Sequence, residues 1–137
     1  MTDITNAMSA ASTGLRAQTA RMRNIAENLA IAQSTGAAPG EDPYRRQVPI
    51  FRVDTDRETG VRGVKMERAA PDRSDFRMRF EPGHPAADAQ GYVRLPNVNS
   101  LVEAMDMREA QRAYEANLTV IETARSMMTR TLDVLRR

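Results

Sequence analysis

NVNSLVEAMDMREAQRAYEANLTVIETARSMMTRTLDVLRR, residues 97–137, contains no proline or glycine and is built mostly from good helix formers. Pro96 stops whatever precedes it. Ser100 followed by Glu103 has the form of a capping box, with the hydroxyl accepting from first-turn amides and the carboxylate reaching back. Glu103 and Asp106 near the start, with Arg136 and Arg137 at the end, follow the charge order that the helix dipole favours. At ~1.5 Å per residue the helix is about 55 Å long, more than a small globular domain needs and suited to something elongated.

Met107, Ala110, Tyr114, Asn117, Ile121, Ala124, Met128, Thr131 and Leu135 alternate at spacings of three and four, a heptad seam. Beside it runs a second set: Val102, Met105, Ala113, Val120, Met127 and Val134. One partner helix covers one stripe. Two stripes imply a helix touched on more than one side. Residues 4–32 repeat the pattern through Ile4, Met8, Ala11, Leu15, Gln18, Met22, Ile25, Leu29 and Ala32. This seam buries little, and Gly14 costs roughly 1 kcal/mol of helix propensity relative to alanine, so the helix depends on partners.

Between the helices the period changes. Residues 37–43 (AAPGEDP) read as a loop; 46–54 (RQVPIFRVD), 61–68 (VRGVKMER), 76–80 (FRMRF) and 92–95 (YVRL) read as short strands separated by turns. The expected class is therefore α+β. Long N- and C-terminal helices (1–35 and 97–137) pair as an antiparallel coiled-coil-like unit forming one helical core domain, with a loop and small β-rich region at 36–96.

Net charge is +2, divided as +1 over residues 1–40, +1 over 41–96 and zero over 97–137, which gives nucleic acid no concentrated basic surface. Six aromatic residues are too few for base-stacking platforms. There is no cysteine, so thiol chemistry is excluded. Asp3 and the polar residues after it do not make a secretory signal, and no apolar run approaches a membrane span, so the chain is expected to stay in the cytoplasm or leave without a cleaved signal. His84, the single histidine, stands in a Gly-His-Pro turn with no second ligand at metal-binding spacing. Glu81 and Asp88 lack the ladder of a calcium loop, and no phosphate-binding glycine loop is present. The expectation is no active site, no metal and no cofactor. Two non-enzymatic readings remain: a polymer subunit whose terminal helices pack against neighbouring copies, or a prefoldin-like chaperone or coiled-coil adaptor.

Residues 14–30 (GLRAQTARMRNIAENLA) and 97–135, including RAYEAN at 112–117, resemble the entry and exit helices of bacterial flagellar axial proteins, the rod and hook family. PYRRQVPIF at 43–51 and FEPGHPAADAQGYVRLPNVN at 80–99, with the short length, resemble its proximal rod members. The family usually has asparagine where this chain has Ile31, which leaves the end of the first helix open.

The resemblance implies a structural subunit of the basal-body rod, the periplasmic drive shaft that transmits torque from motor to hook. It implies type III export without a cleaved signal peptide, and helical assembly with other copies and other rod proteins. Its partners would then be those proteins and the export apparatus. On that basis Leu15, Met22, Ile25 and Leu29 are expected to pack against Tyr114, Ile121, Ala124 and Met128, within or between subunits. Ala110, Ala113 and Ala116 would permit close helix approach, and Asn28, Arg112, Glu115 and Asn117 would make polar contacts in the assembly.

Overall fold

The apolar periods of the two ends produce two long helices, and the alternating middle produces four strands. The computed structural model describes residues 2–137. Its elements are α1 (Thr2–Ile31), β1 (Gln47–Thr55), β2 (Arg62–Pro71), β3 (Arg77–Phe80), β4 (Tyr92–Leu95) and α2 (Ser100–Arg136). The fold is α+β, with the two helices packed together and two separate two-stranded sheets, β1–β2 and β3–β4.

Both helix ends are set by side chains from outside the expected motifs. The capping box does not form. Asn99 is the cap: its Oδ1 accepts the N–H groups of Leu101 at 3.0 Å and Val102 at 3.4 Å, and its carbonyl accepts that of Glu103. Asparagine caps as well as serine does, and Glu103 cannot reach back because its side chain is buried elsewhere. At the other end, α1 runs to Ile31. Arg77 of β3 donates to the Ala32 carbonyl at 2.7 Å and to that of Pro96 at 3.0 Å. A charged donor there satisfies one of the carbonyls a helix end leaves open, so no asparagine is needed at position 31.

The chain divides into two compact units. The first comprises the chain up to Met22, Ile50–Glu67 and Arg108–Arg137. Here α1 and α2 run antiparallel. Gly14 lies against Asn117, Arg21 pairs with Glu109 at 3.4 Å, and Ile4 and Ala7 share a groove with Val120, Ala124 and Met127. Among the described residues of this unit, the buried helical side chains are all alanine: Ala11, Ala17, Ala110 and Ala124. The outer part of the β1–β2 hairpin docks on α1 through Thr13, whose hydroxyl accepts the Val64 N–H at 3.0 Å and donates to the Ala10 carbonyl.

A Cβ on Gly14 would lie 2.7 Å from the Asn117 Nδ2. Alanine is the mild case, because the amide can turn aside and helix propensity returns about 1 kcal/mol. Gly14→Leu has no such room and is expected to lose about 1–3 kcal/mol, with Asn117→Ala recovering part of it. Denaturant unfolding measures both. An unchanged Gly14→Leu would show that the helices do not meet closely there.

The second unit comprises Arg23–Pro49 and Arg68–Met107. β3 and β4 pair antiparallel, Arg77 opposite Leu95 and Phe80 opposite Tyr92. Val93 and Leu95 face inward and are buried, as are Ile25, Ala32 and Val98. Phe80 and Tyr92 meet edge to face at 5.3 Å on the exposed side. Gly91 takes φ 86°, and a Cβ there would sit 2.9 Å from the Phe80 ring, so glycine is required for both reasons.

Candidate functional site

Two features stand out: a buried polar junction in the second unit and an uncovered apolar face on α2. The junction begins with Asn24 and Asn28, one turn apart on α1. Asn28 is fully buried. Its Oδ1 accepts the Gln47 N–H at 3.1 Å and the Tyr44 hydroxyl at 3.0 Å, and its Nδ2 donates to the Gln47 carbonyl at 2.9 Å. Asn24 donates to the same carbonyl. One carboxamide thus satisfies both backbone groups of Gln47 where β1 begins.

Arg46, the preceding residue, points the other way. Its Nε donates to Glu103 on α2, and its Nη atoms reach Asp72 at 3.2 Å and Asp106 at 3.6 Å. The Glu103 side chain is 1% exposed, and its Oε2 has no hydrogen-bond partner. The Asn97 Oδ1 accepts the Arg46 N–H at 2.7 Å, and its Nδ2 donates to the Asp72 and Ser74 carbonyls. Arg45 donates to the same two carbonyls and lies 4.1 Å over the Phe76 ring. The junction therefore joins α1, the start of β1, the loop after β2 and the first turn of α2 through polar groups.

Burial raises the Tyr44 pKa, helped by the negative charges of Glu27 and Glu103. Burial pulls the Arg46 pKa down, but Glu103 and Asp72 outweigh it and the net direction is up. The Ser74 N–H, more than Arg46, holds Asp72 below its ordinary value. A depressed folded-state pKa contributes stability that is complete above the unfolded value, about 3.9, and lost as pH falls through the folded one. The stability difference between the protein and Asp72→Asn should therefore shrink as pH drops below about 4. Urea unfolding at neutral and acid pH tests this. A gap that is the same at both would show that the Asp72 charge contributes nothing.

Of the residues singled out in the sequence, Ile25, Asn28, Ala110 and Ala124 are buried. Leu15, Met22, Leu29, Ala113, Tyr114, Asn117, Ile121 and Met128 are half-buried, and Arg112 and Glu115 are exposed. Gly14 faces Asn117 and Arg21 faces Glu109, so within one chain Leu15 and Met22 lie level with those residues and not with Ile121 or Met128. The structure brings Ile4 and Ala7 to Ala124 instead. The Asn28 carboxamide is engaged inside the chain. His84 accepts the Ala86 N–H through Nδ1, a turn contact.

The second stripe of α2 is open. Val102, Met105, Val120, Met127 and Val134 are exposed, Val134 by 72%, and Leu101 and Leu135 are exposed with them. Single exposed apolar residues are normal; here several large ones lie on one stripe, interrupted at the half-buried Ala113, with Val120 and Met127 at the groove shared with α1.

The Arg46–Glu103 pair was missed in the sequence, though a signal was present. Positions 103, 110, 117 and 124 are seven apart, so Glu103 falls on the buried seam extended backward. A carboxylate on a buried stripe needs a cation, and the nearby arginines of PYRRQ offer one.

A family model described as Flagellar basal body rod FlgEFG protein C-terminal matches residues 89–134. The chain is 46% identical over 136 residues to the Flagellar basal-body rod protein FlgC of Agrobacterium fabrum, covering 99% of this chain and 98% of that one. It is 37% identical to FlgC of Salmonella typhimurium over 94% of this chain and 96% of that one. It is 39% identical to FlgC of Borreliella burgdorferi over 95% and 96%.

Proposed function

This chain belongs to the flagellar basal-body rod protein family, and from that membership we propose that its uncovered α2 face is the surface on which it polymerises. It is a structural subunit of the flagellar basal-body rod. Nothing in its relatives supports the prefoldin-like alternative. In the proposed assembly the helical core of residues 1–35 and 97–137 forms the wall of the rod, and residues 36–96 form its β-rich outgrowth. The rod lies in the periplasm, passes torque from motor to hook through subunit contacts and carries out no reaction. Other rod proteins and further copies are its neighbours, and the type III apparatus exports it without a cleaved signal peptide.

The observation that carries this reading is the apolar row along α2, left open in a single chain. An interface that joins unlike patches and does not close on itself builds a helical polymer. Leu15, Met22, Leu29, Tyr114, Ile121 and Met128 are half-buried, so neighbours can complete their cover, while Arg112, Glu115 and Asn117 supply polar contacts that fix register.

Deleting the gene should abolish rods, hooks and swimming, and the intact gene should restore all three. Ala113, half-buried on the second stripe, is the sharper test. Ala113→Phe should be exported yet fail to build rods, because overpacking costs about 1–3 kcal/mol at each repeated contact. Normal swimming by the deletion strain overturns the rod reading. Full rescue by Ala113→Phe shows that this position meets no neighbour.

A further inference from the structure

We propose that the apolar groove between α1 and α2 in the first unit receives the C-terminal turns of α2 from a second copy of this chain, head to tail; the proposal rests on the rod reading above. The groove has a volume of about 360 Å³ and is lined by Ile4, Ala7, Val120, Thr123, Ala124 and Met127, with Asp3 as its single charged residue. A dry apolar cavity of about 150 Å³ already holds a benzene ring, so this one has room for branched side chains. The same chain carries what fits it. Leu132 and Leu135, three residues apart on one face of the last turns of α2, are 49% and 75% exposed. Arg136 and Arg137 follow them, cations to set against Asp3.

The geometry fixes how two copies meet. The groove centres near Thr123 and the donor turns near Leu135, both on α2 and twelve residues apart. At ~1.5 Å per residue, a parallel neighbour shifted by about 18 Å along the helix brings its last turns level with the groove. Each copy then uses one patch to give and another to receive, and the same shift repeats without closing.

The chain has no cysteine, so every disulfide observed is an introduced one. Thr123→Cys combined with Leu135→Cys cannot close within one chain: about 18 Å of helix separates the two, against the roughly 7 Å limit between Cα atoms in a disulfide. In oxidised basal bodies from swimming cells, the double variant should give a ladder of dimers, trimers and higher multimers on non-reducing gels. The ladder should collapse on reduction, and each single variant should stay monomeric. Ile4→Cys with Leu135→Cys repeats the test from the α1 side of the groove. Monomer alone in basal bodies that contain the chain, for both pairs, overturns the docking but not the rod reading. A ladder that stops at the dimer overturns the head-to-tail arrangement. An adduct whose mass is not a multiple of 15.3 kDa assigns the groove to a different protein and overturns the proposal. Absence of the chain from basal bodies overturns the rod reading and this proposal with it.

Discussion

Arg46→Ala is expected to destabilise the protein by about 3–5 kcal/mol, the usual cost of removing one partner from a buried ion pair. The cost comes from what is left behind. Glu103 is buried, its Oε2 already lacks a partner, and Arg46 supplies its cation. Asp72 and Asp106 share the same guanidinium, so its loss leaves three carboxylates near one another. Removing both members is a different matter. Arg46→Met with Glu103→Leu should recover much of the loss, because an apolar pair of similar volume often matches a buried ion pair. Urea unfolding of the two single variants and the double variant closes the cycle and isolates the coupling. A single-variant loss below about 1 kcal/mol would show that water reaches Glu103, as it does for surface pairs.

Hydrogen exchange in a dilute sample of single chains should divide each long helix in two. Amides in residues 24–31 and 103–107 should exchange about 100-fold more slowly than those in residues 6–20 and 112–134, a difference of about 3 kcal/mol in opening. In the first unit the buried helical side chains are alanines, and each adds little where a leucine would contribute roughly 1.5–3 kcal/mol. Ordering the backbone costs about 1–2 kcal/mol per residue throughout. In the second unit, Ile25, Val93, Leu95 and Val98 are buried, and Asn28, Asn97 and Arg46 add hydrogen bonds to the backbone of neighbouring segments. Assembly should remove the difference, since neighbours would cover the open face of α2. Uniform slow exchange along both helices of the single chain would show that the alanine-lined half is stable alone, and that folding and assembly are not coupled.

The helices and their antiparallel pairing were legible because burial of a helix face is periodic and periodicity is written locally. Ile4 through Ala32 and Met107 through Met128 lie on the covered faces as their spacing implies. The strands were legible for the same reason, from alternation and from the turns around Gly60 and Gly91. The resemblance in residues 14–30, 43–51 and 80–135 led to the rod family, and the full-length relatives agree.

What the local pattern could not decide was where the polar side chains go. Ser100 and Glu103 match a capping box, yet Asn99 caps the helix and Glu103 turns inward to Arg46, fifty-seven residues away in sequence. Asn28 offers no periodic signal, yet it holds the start of β1. Arg77 reads as one more exposed strand residue, yet it closes the end of α1. Apolar burial depends on which face a residue occupies, and spacing along the chain gives that. A hydrogen bond depends on a partner's position to within a few tenths of an ångström, and only the folded backbone brings residues 28 and 47, or 46 and 103, to that distance.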